Sequence, residues 1–197
     1  MNYDLVVKNG TIIDGSGGAR YRADVGVLGG KIASIGRIDS KKAKTIDAEG
    51  HVVSPGFVDG HTHMDAQIFW DPIGSCSCYH GVTSVVMGNC GFTLAPCREE
   101  EADMVFRSLE RAEDLSRDAM LAGINWSWET FPEYLDAIDK LPKGINYAGY
   151  IGHSALRTYV MGERAFEDEA SEDEVKKMQA IVKEALEVGA IGFSTSR

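Results

Sequence analysis

The sequence has little of several features that would assign it to a specialised class of protein. It contains no apolar run longer than a β-strand, so no segment of it is predicted to span a membrane. The first residues, Met1 to Asp4, lack the basic and apolar regions of a secretory signal. Five prolines in 197 residues are too few for a proline-rich disordered chain. We therefore expect a globular, cytoplasmic protein.

Positively charged residues and cysteines are also few. The first shortage limits the partners that we expect, and the second bears on whether disulfides form. Lys and Arg together number 20 against 30 Asp and Glu, which leaves a net charge of −10. Such a chain is repelled by phosphate backbones and anionic lipid, so we expect neither nucleic acid nor a membrane as a partner. Four cysteines without a secretory signal are predicted to be thiols and not disulfides.

The pattern that is present changes near residue 56. Residues 1–55 have the alternation and turn residues of an all-β segment. Three hairpins are predicted there, with turns at Asn9-Gly10, Gly29-Gly30 and Ala48–Gly50. A small sheet of this kind needs a partner to cover its apolar face.

Residues 56–197 instead alternate strands with helices, which is typical of βα units around a parallel sheet. About four such units are present, whereas a closed (β/α)₈ barrel needs eight units and about 250 residues. We therefore predict an α/β fold that is the first half of a longer barrel. The predicted strands are Gly56–Gly60, Val82–Met87, Ile145–Ile151 and Ala190–Phe193, and the predicted helices are Glu99–Ala122, Phe131–Ile138 and Glu172–Val188.

The first of these strands runs into two histidines, His61 and His63. Residues i and i+2 of an extended chain point to the same side, so both imidazoles can face one point. Two neutral imidazoles form a good partial site for zinc or a similar borderline metal. The alternative interpretation is a pair of surface histidines in a polar loop.

The ends of the later strands carry further candidates for the same rim, because reactive groups of such barrels lie at the carboxyl ends of the strands. Cys90 follows the second strand within Gly-Asn-Cys-Gly, and a thiolate there is a strong zinc ligand. The alternative is a buried free cysteine. His153 ends the third predicted strand and Ser194 the fourth. Each is a candidate either to support a metal ligand or to face the substrate.

Two stretches resemble a known family. Residues 56–63, GFVDGHTH, are similar to the first barrel strand of the amidohydrolase superfamily. Residues 81–92, GVTSVVMGNCGF, resemble the N-acyl-D-amino-acid deacylase (D-aminoacylase) branch, and the resemblance extends along the whole chain. It implies part of a β-sandwich followed by the first half of an amidohydrolase barrel.

The activity that this resemblance implies is metal-assisted hydrolysis of the amide bond of N-acyl-D-amino acids, with small-molecule substrates. Zinc would be held by His61, His63 and Cys90. Asp59 and Asp65 flank the histidines, and either could orient an imidazole. The family also uses two histidines and an aspartate from later strands, so the acid–base aspartate is expected beyond residue 197. The chain is then expected to need a complementary C-terminal segment.

The position of Ser194 separates this branch from its neighbours. Hydantoinases and dihydroorotases of the same superfamily carry a carbamylated lysine on strand four, which bridges two metals. Ser194 stands where that lysine would be, so the resemblance makes Cys90 the candidate bridge. Two alternatives stay open, namely a hydantoinase-like or dihydropyrimidinase-like enzyme that acts on cyclic amides, and a truncated or split chain without catalytic activity.

Overall fold

A computed structural model describes residues 2–39 and 41–196 of the chain. The contacts divide it into two compact units, Met1–Gly56 and Phe57–Arg197. Among the described residues, no helix has the length and apolar character needed to cross a membrane.

The first unit is a five-stranded sheet. Strand β1 is central, with β2 antiparallel to it on one side and β3 antiparallel to β2. Strands β4 and β5 both run parallel to β1 on its other side. The strands are β1 (Leu5–Ile12), β2 (Tyr21–Leu28), β3 (Lys31–Gly36), β4 (Lys44–Asp47) and β5 (Val52–Val53).

Only one of the three predicted hairpins is confirmed. Strands β2 and β3 reverse at Gly29-Gly30, where both glycines have positive φ. The hairpin predicted at Asn9-Gly10 is wrong, because β1 continues through these residues with a shift in register. Asn9 takes a left-handed φ of 62° there, and its backbone N–H donates to Asp24 Oδ1 at 2.9 Å. This bond supports a bulge where a turn was expected.

The third predicted hairpin, at Ala48–Gly50, is also wrong. Strands β4 and β5 do not pair with each other, since each pairs with a different stretch of β1. Hydrogen bonds from Ala48 N to Lys8 O (2.8 Å) and from Thr11 N to His51 O (3.0 Å) keep the chain on the edge of β1 through the turn. The turn therefore shifts the chain along that edge without reversing it.

The second unit contains a parallel sheet that curls into a half-barrel. Its four strands are neighbours in chain order, and each pair is parallel, which is the arrangement expected of consecutive βα units. The strands are β6 (Phe57–Asp59), β7 (Val82–Met87), β8 (Asn146–Gly152) and β9 (Gly192–Ser194). The helices are α1 (Met64–Gln67), α2 (Ser75–Cys78), α3 (Ala102–Glu113), α4 (Arg117–Gly123), α5 (Phe131–Asp139), α6 (His153–Met161) and α7 (Glu172–Glu187).

The long helix predicted from Glu99 to Ala122 is instead two helices. Asp114 takes a left-handed φ of 54° after α3, which ends the helical hydrogen bonding. Ser116 then starts α4, since its Oγ accepts a hydrogen bond from Ala119 N at 3.3 Å. The other two predicted helices are confirmed as α5 and α7. Both begin with a capping box, formed by a hydroxyl residue and a glutamate three positions later.

The core of the second unit is rich in aromatic side chains. Tyr134 and Phe131 of α5 are each 1% exposed. Trp128 Nε1 donates to Leu94 O at 2.8 Å, which satisfies the polar atom of a buried indole. Burying one such side chain stabilises the fold by about 1.5–3 kcal/mol. Because Tyr134 Oη also donates to Asp65 O at 3.0 Å, this core supports α1, which follows the loop after β6.

Candidate metal centre

The two histidines lie in the loop between β6 and α1. His63 is the residue that precedes the first turn of α1. Between the histidines, Thr62 donates from its N–H and its hydroxyl to Val86 O, at 2.9 and 2.8 Å. Asp59 Oδ1 accepts from His61 N at 3.2 Å. These bonds hold the loop against the end of β7. They therefore fix the backbone positions from which the imidazoles of His61 and His63 project.

Cys90 lies in a tight turn after β7. Gly88 has φ of 78°, and an added Cβ there would lie 2.5 Å from Tyr150 O, so only glycine fits. Cys90 itself has a left-handed φ of 56°, which costs a non-glycine residue about 1–2 kcal/mol. The Asn89 amide donates to both Thr62 O and Val86 O at 3.0 Å. These bonds fasten the turn to the histidine loop.

The two loops bring His61, His63 and Cys90 together. One potential ligand atom from each residue lies within 4.8 Å of the others. Cys90 Sγ is 3.3 Å from His61 Nε2, and the two imidazole centroids are 5.5 Å apart. Residues at the ends of adjacent parallel strands thus lie close together.

His63 shows that the cluster suits a cation. Both of its ring nitrogens are buried, and neither has an aligned hydrogen-bond partner among the residues that the structure covers. Burial is the main cause that lowers the pKa of His63, while Glu113 opposes the shift. A neutral imidazole is the form that binds metal. Two such nitrogens and a sulfur are the donors that zinc and similar borderline metals prefer.

Glu113 also faces this cluster, although nothing in the sequence pointed to it. It is the last residue of α3, and its Oε2 lies 3.2 Å from His63 Nε2. Burial raises the pKa of the Cys90 thiol, and the Glu113 carboxylate raises it further. The structure therefore places a carboxylate beside His63, outside the set of three ligand atoms that lie within 4.8 Å of one another.

The comparisons with known proteins identify the family of the chain. The model of the amidohydrolase family matches residues 44–197 of the chain. The chain belongs to the amidohydrolase family. D-aminoacylase of Alcaligenes xylosoxydans xylosoxydans is 38% identical to this amidohydrolase over 194 residues. That match covers 98% of the chain and 37% of the relative.

Further relatives carry names of the same kind. N-acyl-D-glutamate deacylase of the same organism is 36% identical, with 98% of this chain and 37% of the relative covered. A crystal structure of N-acyl-D-glutamate deacylase from Bordetella bronchiseptica, complexed with zinc and a phosphonate inhibitor, superposes with a TM-score of 0.82. It is 34% identical, over 99% of this chain and 38% of that one. The resemblance to deacylases and the predicted half-barrel are both confirmed, and the chain spans about a third of the length of these relatives.

The other site residues expected from the sequence lie around the cluster of His61, His63 and Cys90. Asp65 is 1% exposed, and its Oδ2 accepts from Gly88 N at 3.1 Å. Burial raises the pKa of Asp65 to about 7, although the bond from Gly88 opposes the shift. Like Asp59, Asp65 accepts its hydrogen bond from a backbone N–H, and among the described residues neither aspartate bonds to an imidazole. Both therefore hold the loops and leave the imidazoles free.

Ser194 and His153 have different surroundings. Ser194 Oγ donates to Gly88 O and accepts from Gly91 N at 3.1 Å, so it braces the Cys90 turn from the neighbouring strand. His153 starts α6, where its Nδ1 lies 3.2 Å from Thr195 Oγ1 and its ring packs against Phe193. Burial and Arg157 lower the pKa of His153. His153 lies outside the metal cluster.

Proposed function

We propose that this chain is the N-terminal part of a zinc-dependent N-acyl-D-amino-acid deacylase, which hydrolyses the amide bond between the acyl group and the amino acid. The convergence of His61, His63 and Cys90 is the observation that carries the proposal. Ser194 supports the linear-amide branch, because the lysine that bridges the metals in hydantoinases would stand at its position. The names of the relatives point to the same reaction.

Zinc held by His61, His63 and Cys90 would supply a water molecule whose pKa is lowered to about 7 and a Lewis acid for the scissile carbonyl. The protein residues prepare the site for this. His61 and His63 would offer nitrogens to the metal, and Cys90 would offer a sulfur. Ser194 stands at the position of the bridging lysine of hydantoinases. It bonds to the backbone of Gly88 and Gly91 and so holds the turn that carries Cys90. The ligands are thus preorganised by the two loops.

The proton transfers require a further group. A deacylase must take a proton from the attacking water and deliver one to the leaving amine. We propose that the aspartate for this step belongs to a complementary C-terminal segment, as do the groups that select the D-configuration. The length of the relatives, about three times that of this chain, supports this division.

A second candidate function is metal binding without turnover by this chain alone. It is favoured by the cluster itself, which brings together three potential ligands within the described residues. Hydrolysis of cyclic amides is less well supported, because Ser194 cannot be carbamylated.

The test joins this chain to the C-terminal portion of the Alcaligenes D-aminoacylase. We expect the chimera to retain zinc and to hydrolyse N-acetyl-D-amino acids, with no turnover of hydantoin or dihydrouracil. The same chimera with Cys90→Ser should lose most of its activity, and the isolated 197-residue chain should bind zinc without turnover. A folded, zinc-loaded chimera that hydrolyses none of the N-acetyl-D-amino acids would contradict the proposal.

A further inference from the structure

A cavity between α3 and α6 has no role in the chemistry described so far. Its volume is about 260 Å³, and its walls come from α3, from α6 and from the chain that follows Cys90. Pockets for whole ligands occupy about 300–1,000 Å³, so a cavity of this size suits one part of a substrate. The residues used below from its lining are Thr93, Met104, Ser108, Ser154, Ala155 and Thr158.

The helices on both sides of the cavity also reach the cluster of potential metal ligands. Helix α3 ends at Glu113, whose Oε2 is 3.2 Å from His63 Nε2. On the other side, a Cβ added to Gly91, the residue after Cys90, would lie 3.3 Å from Ser154 Oγ. Ser108 precedes Glu113 by five residues, which is about 7.5 Å along a helix. The cavity therefore lies within reach of the far end of a small molecule bound at the cluster.

The lining of the cavity is either apolar or already hydrogen-bonded. None of the described residues that line it is charged. Three of its hydroxyls donate to backbone carbonyls: Thr93 Oγ1 to Ala95 O at 2.7 Å, Ser108 Oγ to Met104 O at 3.0 Å, and Thr158 Oγ1 to Ser154 O at 2.9 Å. A carboxylate placed there would lose its water without gaining a partner, which is unfavourable. An apolar chain would instead gain contact with apolar walls.

We propose that this cavity binds the apolar acyl chain of the substrate, an inference that rests on the proposed function. An N-acyl amino acid has a charged carboxylate on its amino-acid part, whereas an alkyl acyl chain has no charge. When the scissile amide is at the cluster, the uncharged end of the substrate enters the uncharged cavity. The completed enzyme therefore prefers acyl groups longer than acetyl.

Binding of N-methylhexanamide, an uncharged amide with an apolar chain, tests the cavity in the purified 197-residue chain. The measurement is the nuclear magnetic resonance of isotope-labelled methionine methyl groups. Met104 lines this cavity, whereas Met178 lines a separate apolar groove on α7, so the two methyls distinguish the two places. We expect the Met104 signal to shift and the Met178 signal to stay unchanged. Each buried methylene adds about 4-fold in affinity, so N-methylhexanamide should bind about 15-fold more tightly than N-methylbutanamide.

A filled cavity should lose this binding. Ser108→Leu puts a larger apolar side chain on the α3 wall and should weaken binding of N-methylhexanamide at least about 10-fold. The matched control is Arg111→Leu, which makes the same side chain at an exposed position of α3 and should bind like the wild type.

A second arm tests which part of the substrate enters, with the chimera described above. We expect kcat/KM to be higher for N-hexanoyl-D-alanine than for N-acetyl-D-alanine, and Ser108→Leu should lower that ratio at least about 10-fold. Arg111→Leu should keep the ratio. N-acetyl-D-norleucine carries the apolar chain on its amino-acid part instead. If Ser108→Leu lowers the preference for N-acetyl-D-norleucine and not for the hexanoyl substrate, the acyl assignment is overturned.

The remaining outcomes separate the two proposals. A shift of the Met178 signal alone, no shift of either signal, or equal affinities for the two amides would overturn the apolar site while leaving the proposed function intact. A folded chimera that hydrolyses no N-acyl-D-amino acid, together with a shift of Met104, would overturn the proposed function and the acyl assignment but support the apolar site. Should circular dichroism show that Ser108→Leu is misfolded, Ala155→Val, which narrows the cavity from α6, is expected to weaken the binding of N-methylhexanamide as well.

Discussion

The two units of this chain obtain their order in different ways. In the first, backbone hydrogen bonds define five strands, but large apolar side chains stay exposed, including Ile32 at 66% and Val52 at 57%. In the second, Phe131, Tyr134 and Trp128 are almost fully buried in one core. Few apolar side chains of the first unit are buried, Val6 and Ile12 among them, whereas the second unit packs helices against a sheet around a larger core.

This difference explains where the candidate chemistry lies. A metal site needs loops that are held in place, and loops are held in place by a packed core beneath them. In the second unit, Tyr134 bonds to the backbone of Asp65, and Asp65 bonds to Gly88 beside the cysteine turn. Buried contacts thus reach from the core to both ligand loops.

The largest contrast is expected for one truncation in each unit. Phe131→Ala leaves a cavity in the second unit and should lower the free energy of unfolding by about 3–5 kcal/mol. Ile32→Ala in the first unit removes an exposed side chain and should change it by less than about 0.5 kcal/mol. Urea denaturation followed by circular dichroism measures both. Equal effects would show that Ile32 is covered by something in solution.

The next contrast concerns a buried carboxyl and pH. Burial raises the pKa of Asp65 in the folded state to about 7, from an ordinary value of 3.8, so the folded state favours the protonated form. Its contribution to stability is complete below pH 4 and is lost as pH rises through 7, by up to about 4 kcal/mol. Asp65→Asn, which cannot ionise, should lack this decline.

Urea denaturation at pH 5 and pH 8, with a chelator present, measures the effect of Asp65→Asn. The gain of the variant relative to the wild type should be larger at pH 8. Asp136→Asn, at an exposed position of α5, is the control and should follow the wild type at both values. A parallel response of Asp65→Asn and the wild type would mean that Asp65 is ionised in the folded chain.

A smaller effect is expected for the sulfur ligand. Serine offers a harder and less readily deprotonated donor than cysteine, so Cys90→Ser should weaken zinc retention by at least about 10-fold. The measurement is competition with a chelating dye. Cys76→Ser, which changes an exposed thiol outside the cluster, should retain zinc normally. Equal retention by both variants would remove Cys90 from the metal site.

The reactivity of the thiols refines that comparison. Cys97 is 2% exposed, and burial raises its pKa to about 12, so it should resist a thiol reagent in the folded chain. Exposed Cys76 should react, and Cys90 should react only after zinc is removed. Mass spectrometry of the labelled peptides identifies each site. Labelling of Cys90 at the same rate with and without zinc would contradict its role as a ligand.

The smallest effect is expected for the brace from strand β9. Ser194→Ala removes the hydroxyl that bonds to Gly88 and Gly91, which should cost about 1–2 kcal/mol of stability. Because the brace holds the cysteine turn, zinc affinity should fall as well. Ser196→Ala, at an exposed position, provides the matched control. If Ser194→Ala changes neither stability nor zinc affinity, the turn is held by Gly88 and Asn89 alone.

The sequence by itself predicted the features that depend on neighbouring residues. The spacing of His61 and His63, the cysteine that follows the second strand and the helices over 131–138 and 172–188 all involve groups a few positions apart. Local backbone geometry is enough to define these features. The meeting of the two loops also followed, because the carboxyl ends of adjacent parallel strands share one edge.

Only the tertiary structure decided the features that join distant parts of the chain. Strands β4 and β5 each pair with the edge of β1 and do not pair with each other, because hydrogen bonds to β1 hold the chain along that edge. The helix break at Asp114 made Glu113 the last residue of α3, and the fold brought its carboxylate to His63. Turn residues and helical periodicity describe short stretches. They carry no information about which distant group will fill the space beside a given side chain, and that is set by packing.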